Sequence, residues 1–157
     1  MNALKTTIAL AAIAAAFGAN AAAATDSARI ELRGSVAASC VISVVPTAKA
    51  TSLDIVKGEQ NSLVGVVTEN CNSSTGYTVQ LSSDNAGKLL SPAAGAKPTV
   101  YSARYDDGVG TIDQSIVATR DQAFFGRNGN LTVSFAGDPQ AIAGTYSDFI
   151  NLVIRAK

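Results

Sequence analysis

Residues 25–40, TDSARIELRGSVAASC, separate apolar from polar side chains by alternate position, which is typical of a strand with one buried face. The apolar run continues to Val45, and an extended segment from Ala28 to Val45 would measure roughly 55–60 Å. Ordinary strands have about 5–6 residues. No turn pair such as Asn-Gly interrupts the segment, so the pattern predicts no short hairpin within it. Its first half therefore needs a strand partner from somewhere else.

The amino end predicts a signal peptide over residues 1–24. Lys5 precedes an apolar run from Ile8 to Phe17, and the small residues Ala22–Ala24 suit a signal peptidase that cuts after Ala24. The run has about ten residues, whereas crossing a bilayer takes roughly 20, so a retained anchor is the weaker alternative. About 133 residues remain, the size of one domain. They are nearly balanced in charge, which predicts no binding to nucleic acid or anionic lipid.

The chain contains 2 cysteines, Cys40 and Cys71. An exported protein meets an oxidising compartment, which favours a disulfide between them. The alternatives are a metal site or a reactive thiol, but the chain has no histidine and no CxxC pair to supply zinc ligands. The disulfide would close a loop of about 32 residues, which the chain-entropy model credits with roughly 3.5–4 kcal/mol.

Alternation also dominates the rest of the chain and predicts half-buried strands at 77–82, 101–105 and 131–135. The last segment, AGTYSDFINLVIRAK, is apolar on parts of both faces, with Phe149 and Val153 opposite the main apolar set. Clusters rich in Gly, Asn, Asp and Pro predict turns between the strands. They lie at 83–87, 91–98, 106–108, 127–130 and 137–139. Many short strands with such turns predict an all-β sandwich.

Few residues suit catalysis. A chain without histidine has no Ser-His-Asp or Cys-His nucleophile. Asp106 and Asp107 could form a carboxylate pair or a calcium site, but their position before Gly108 favours a plain turn. The 4 tyrosines, Tyr77, Tyr101, Tyr105 and Tyr146, could form a carbohydrate-stacking surface, although core positions with hydroxyls at the rim are favoured. We therefore predict no enzyme, no cofactor and no metal.

Several stretches together resemble the secreted pilin-like subunits of the chaperone–usher pathway, most closely the spore coat protein U-like branch that includes archaic pilins. They are the signal peptide, the alternating arm that ends in SC, CNSSTGYTVQLSS from Cys71, YSARYDD from Tyr101 and the closing AGTYSDFINLVI. The resemblance covers nearly the whole mature chain. It implies an incomplete immunoglobulin-like β-sandwich (residues 35–157) that is completed by the N-terminal donor-strand arm (residues 25–34) of a neighbouring copy.

The resemblance also assigns roles to residues. It implies that the half of the opening stretch near Cys40 belongs to the molecule's own sandwich and that the arm enters another subunit, with Gly34 near the boundary. The segment 54–67 does not follow the family's pattern, and the sequence predicts no binding domain of the tip-adhesin type. The donor positions are Ala28, Ile30, Leu32, Gly34 and Val36. The acceptor groove is lined by the strand after Cys40 and by Tyr146, Ile150, Leu152 and Ile154.

The resemblance implies a head-to-tail polymer of this chain or close relatives, a periplasmic chaperone and an outer-membrane usher. The implied product is a cell-surface pilus with a role in adhesion or biofilm formation. The alternative is a monomeric secreted β-sandwich that coats a surface or binds glycan through its tyrosines.

Overall fold

The computed structural model describes residues 26–106, 108–112 and 115–157. The predicted signal peptide and Thr25 lie outside these residues, as does Asp107. Internal contacts divide the chain between Ser35 and Val36 into two units. No described helical segment has the length and apolarity of a membrane span.

Residues 26–35, the described part of the first unit, form no strand. Their side chains are exposed, and the Arg33 Nε donates a hydrogen bond to the Glu31 Oε1 at 2.7 Å. The second unit contains strands and a 3-10 turn at Ala48–Thr51. The strands are β1 (Cys40–Pro46), β2 (Gly58–Cys71), β3 (Tyr77–Ser83), β4 (Lys88–Leu89), β5 (Thr99–Val100), β6 (Ser102–Tyr105), β7 (Gly108–Thr111), β8 (Ile116–Arg120), β9 (Phe124–Ala136) and β10 (Ile150–Ala156).

The two main sheets of the second unit form a sandwich. One has the strand order β1-β2-β9-β6-β7 and the other has the order β10-β3-β8, while β4 and β5 pair separately. All of these pairings are antiparallel. Alternate residues of β2, β3, β6, β8 and β9 point inward and form one apolar core between the sheets. Alternation thus produces the predicted strands because each sheet buries one face.

The strand order is that of an immunoglobulin-like sandwich without its last strand. The immunoglobulin sheets are ABED and CFG. Here β1, β2, β9 and β6 take the places of A, B, E and D, and β3 and β10 take those of C and F. Among the described residues, no strand takes the place of G beside β10. The predicted fold class, an incomplete immunoglobulin-like β-sandwich, is confirmed.

The predicted disulfide is also confirmed. Cys40 and Cys71 are directly opposite in the β1–β2 ladder and are bonded. β1 begins at Cys40, and residues 26–39 form no strand. The long alternating segment is therefore divided, and only its second part belongs to a sheet of this molecule.

The turn predicted at residues 127–130 is wrong, because these residues lie within β9. Their turn-like composition has another cause. A Cβ on Gly129 would lie 2.6 Å from the Tyr105 ring, so the strand needs glycine for the ring to pack against it. The Arg127 Nη1 contacts the Asp106 Oδ2 at 2.7 Å, and Asn128 accepts a hydrogen bond from the Thr68 hydroxyl at 2.9 Å.

A buried carboxylate joins the two sheets close to the disulfide. Glu69 of β2 is 0% exposed and accepts hydrogen bonds from the hydroxyls of Tyr105 and Tyr77. The Arg120 guanidinium donates to both of its oxygens, at 2.9 and 3.1 Å. Asp106 in turn pairs with Arg120. Because β3 and β8 supply Tyr77 and Arg120 and β6 supplies Tyr105, the cluster bonds one sheet to the other.

Opposing effects act on the pKa of Glu69. Burial raises it, but hydrogen bonds from Arg120, Tyr105 and Tyr77 outweigh burial and hold the pKa below its usual value. For Tyr77 and Tyr105, burial and the neighbouring carboxylate both raise the pKa of the phenol. Glu69 is therefore ionised at neutral pH, and both phenols keep their protons.

We expect Glu69→Gln to destabilise the second unit by about 3 kcal/mol, because it removes the negative partner of a buried arginine. Asp106 still pairs with Arg120 in this variant, so the loss stays at the lower end of values for broken buried ion pairs. Denaturant unfolding measures the change. The exposed Glu31→Gln serves as control and should change stability by less than about 0.5 kcal/mol. Equal stability of the two variants would contradict the proposed tie between the sheets.

Candidate functional site

The candidate site is the space between the free edges of β1 and β10. These strands lie next to each other in different sheets, and among the described residues each has a strand partner on one side only. Their other edges leave backbone N–H and C=O groups available for pairing with an added strand. We call the space between them the groove.

The predicted acceptor residues lie along one side of the groove. Ile150, Leu152 and Ile154 occupy alternate positions of β10, are half-buried and pack against the core. Tyr146, which precedes the strand, is also half-buried and packs against the core. Tyr146 and Ile150 line a cavity of about 700 Å³, whereas Leu152 and Ile154 do not. Whether these four residues accept a strand stays a prediction.

The cavity has a second wall that the sequence analysis did not identify. Ala50, Leu53 and Ile55, from the segment after β1, line it together with Pro46, the last residue of β1. Its floor is made by core side chains, among them Leu89, Tyr101, Leu131, Val133 and Phe135. The alternate apolar positions of Leu53 and Ile55 were the available sequence signal. They lie just before and within the segment that matched no pattern.

Glu59 holds this second wall in place. It accepts hydrogen bonds from the Asp54 backbone N–H, at 2.8 Å, and from the Ser62 hydroxyl. Lys49 pairs with it at 2.5 Å. The contact with Lys49 contributes most, and together with the two hydrogen bonds it lowers the pKa of Glu59 to about 2. The residue thus ties the 3-10 turn and the following loop to the start of β2.

Asp148 holds the wall formed by the segment before β10. Its carboxylate accepts hydrogen bonds from the hydroxyls of Ser83, at 2.5 Å, and Tyr101, at 2.6 Å. The backbone N–H of Asn85 donates to it at 3.0 Å. The neighbouring Ser147 exchanges two backbone hydrogen bonds with Leu90, at 2.9 and 3.0 Å. The mouth of the cavity is therefore bounded by fixed backbone.

The predicted donor residues are exposed. Ile30 is 84% exposed, Leu32 is 90% exposed and Val36 is 88% exposed. Ala28 and Gly34 are also exposed, and a Cβ on Gly34 would meet no atom within 4 Å. Ala28, Ile30, Leu32 and Gly34 belong to the first unit, whereas Val36 begins the second unit. The alternating pattern predicts that these apolar side chains share one buried face. In the structure, none of them is buried.

The alternative sites suggested by the sequence have other roles. Tyr77, Tyr101 and Tyr105 are buried, so these three do not form a carbohydrate-stacking surface, and their core placement is confirmed. Tyr146 is half-buried, and its hydroxyl donates to the Ile142 carbonyl at 3.0 Å. Asp106 lies in a turn, as predicted, at a φ of 50°. In the described ranges, no group of three acidic, histidine or cysteine residues could hold a metal ion.

Comparisons with known proteins give one structural similarity to report. No family model matches the sequence, and no curated protein matches it. The crystal structure of the E. coli Hda pilus minor tip subunit, HdaB, is similar, with 13% sequence identity and a TM-score of 0.39. The similarity covers 73% of this chain and 79% of that chain.

We expect the contribution of Glu59 to stability to depend on acid pH. Folding lowers the pKa of Glu59 from 4.5 to about 2. Its contribution to stability is therefore fully present at pH values above the pKa of the unfolded state, and it is lost as pH falls through the pKa of the folded state. The difference in unfolding free energy between wild type and Glu59→Gln should stay constant above about pH 6 and shrink below about pH 4.5. Denaturant unfolding at a series of pH values measures it.

The neighbouring uncharged substitution Gln60→Ala is the control for the Glu59 experiment. It should shift stability by the same amount at every pH, since it removes no titrating group. A Glu59→Gln difference that is equally flat from neutral pH to about pH 2 would show that the carboxylate gains nothing from Lys49 and Ser62 in the fold.

Proposed function

We propose that this chain is a structural, non-enzymatic pilin-like subunit that polymerises by donor-strand exchange. In this proposal, the arm of one copy adds a strand to the groove of the next copy. The arm is taken as residues 25–36, so that it includes the donor position Val36. The observation that carries it is the combination of an open, apolar-lined groove with an exposed arm of strand-like alternation. In the described part of the chain, the groove has free strand edges without a partner, and the arm has apolar side chains without a buried site.

The arm and the groove agree in length. β10 has 7 residues, and the seven residues from Ile30 to Val36 match it at about 3.3 Å per residue. An added strand antiparallel to β10 continues the pattern of every pairing in the two sheets. Its backbone then bonds to the free edge, while alternate side chains enter the groove.

The apolar side chains provide the driving force. Each of Ile30, Leu32 and Val36 gains roughly 1.5–3 kcal/mol when it moves from water into an apolar site. On the opposite face of the arm, Arg29, Glu31 and Arg33 remain in water. Gly34 fits where the groove leaves little depth. Since donor and acceptor surfaces differ, the contact is head-to-tail and extends into a fibre.

The proposal includes the cellular partners that such an assembly needs. An open groove with a free strand edge promotes aggregation, so a periplasmic chaperone would cover it until an outer-membrane usher mediates exchange. The signal peptide would direct export, and the product would be a surface pilus active in adhesion or biofilm formation. Within pilin-like proteins, we propose the spore coat protein U-like branch.

We expect Leu32→Asp to abolish polymers, because it places a carboxylate in an apolar groove without a partner. The matched control is Ser35→Asp, which adds the same charge to the polar face of the arm and should leave polymers intact. Size-exclusion chromatography with light scattering, applied to the purified mature proteins, measures polymer mass. Polymers of normal length from Leu32→Asp would overturn the proposal.

The Leu32→Asp substitution changes the arm and leaves the groove of the same protein unchanged. A labelled synthetic peptide of residues 26–36 with the native sequence should bind it, and fluorescence anisotropy follows the binding. The same peptide with Asp in place of Leu32 should bind at least about 100-fold more weakly, as burying an unpaired charge predicts. Equal affinity of the two peptides would show that the arm does not enter the groove by its apolar face.

A further inference from the structure

The segment that joins the arm to β1 is held by Asn72, which directly follows β2. Its side-chain Nδ2 donates to the Ala37 carbonyl at 2.9 Å, and its Oδ1 accepts from the Ser39 N–H at 2.6 Å. The Asn72 backbone N–H donates to the Ser39 carbonyl at 3.1 Å. We call these three hydrogen bonds the arm clamp. The disulfide between Cys40 and Cys71 lies next to it.

The arm clamp lengthens the β1–β2 ladder beyond its last strand pair. Cys40 is opposite Cys71 in that ladder, and Ser39 and Asn72 continue it by one step. The Asn72 amide then acts as one further length of strand, since it offers the acceptor and the donor that Ser39 and Ala37 need. Residues 37–39 are consequently held alongside β2, and the segment N-terminal to Ala37 is outside the clamp.

An arm that filled its own groove would have to double back along β1. Cys40 and Ile42 point toward the core, and the arm must present its apolar positions on that same face. Side chains alternate, so the connecting loop must contain an odd number of residues. A three-residue loop at 37–39 would place Val36 opposite Cys40 and Ile30 opposite Pro46, beside the cavity. That loop requires residues 37–39 to reverse direction, which breaks the arm clamp.

With the arm clamp intact, the chain can reverse only before Ala37. A three-residue loop at 34–36 would bring Ile30 no further than Cys40 and Ala28 no further than Ile42. The cavity beside Pro46 would stay empty, and Leu32 would lie beside Ala38 rather than in the groove. The arm of a second copy is under no such restriction, because its own root lies elsewhere.

We infer that Asn72 is a positioning residue that keeps the arm out of its own groove and so commits it to a second copy of the chain. This inference rests on the proposed function. It explains why the arm pairs with another molecule rather than with its own groove. The side chain acts only on residues 37–39 and does not touch the groove residues identified above.

The test compares the full mature chain with Asn72→Ala, refolded at low concentration with the disulfide intact. Trypsin reports the position of the arm, because it cuts after Arg29 and Arg33. The wild-type arm should be cut quickly, whereas the Asn72→Ala arm, folded into its own groove, should be protected. The labelled peptide of residues 26–36 should bind Asn72→Ala at least about tenfold more weakly, since an attached arm competes at high effective concentration.

Two further variants complete the test. Asn70→Ala is the matched control, because the Asn70 side chain bonds the Gly126 N–H at 2.7 Å rather than the root of the arm, and it should behave as wild type. Asn72→Asp keeps the acceptor for Ser39 but loses the donor to Ala37, so its arm protection should be intermediate. It also replaces Asn72→Ala if that variant does not fold.

The outcomes separate this inference from the proposed function. If wild type binds the peptide and polymerises, and both Asn72 variants are cut and bind as wild type does, the arm clamp does not direct the arm. If wild type neither binds the peptide nor polymerises, the proposed function fails and the inference fails with it. Arm protection and weak peptide binding in Asn72→Ala, an intermediate effect in Asn72→Asp and no change in Asn70→Ala support the inference.

Discussion

The carboxylate of Glu69 is the contact on which the geometry of the sandwich depends. It is fully buried and takes hydrogen bonds from Tyr105 of one sheet and from Tyr77 and Arg120 of the other. These bonds join the sheets at one end of the groove, next to the disulfide that links β1 to β2 within one sheet. At the other end, between Pro46 and Ile150, a cavity replaces such contacts. The sandwich can lack a strand there because its sheets are fixed to each other elsewhere.

A charged cluster suits this task better than apolar packing would. Buried ion pairs add little net stability compared with apolar side chains, but breaking one by removing a partner is costly. Hydrogen bonds to Glu69 also have direction, whereas apolar contacts allow the two sheets to slide or close over a gap. The cluster therefore fixes the position of one sheet against the other where Glu69 is buried.

Features that arise from residues close together in the sequence could be predicted, whereas features that depend on contacts between distant residues could not. Strands such as 77–82 and 131–135 were predicted because one buried face imposes a local period of two. The wrong turn at 127–130 and the unrecognised Glu69 have a common cause, since Gly129 and Arg127 are explained by Tyr105 and Asp106, which are distant in sequence. The cavity wall at Leu53 and Ile55 was missed because its order depends on Glu59 and Lys49 in a segment without a pattern. Local alternation indicates the donor face, whereas the acceptor positions come from the resemblance to pilin-like subunits, and the pairing of the two is a proposal.

An alternating segment next to an incomplete sheet has two possible partners, its own groove and that of another molecule. Intramolecular pairing would win by proximity, because an attached arm has a high effective concentration. A fibre-forming chain must therefore make that pairing geometrically poor rather than weaken the strand itself. Parity and loop length supply the means, since only a reversal at residues 37–39 places Ile30, Leu32 and Val36 all opposite residues of β1. In the inference drawn for Asn72, its amide side chain opposes that reversal through two hydrogen bonds to that short segment and leaves the arm free for a neighbour.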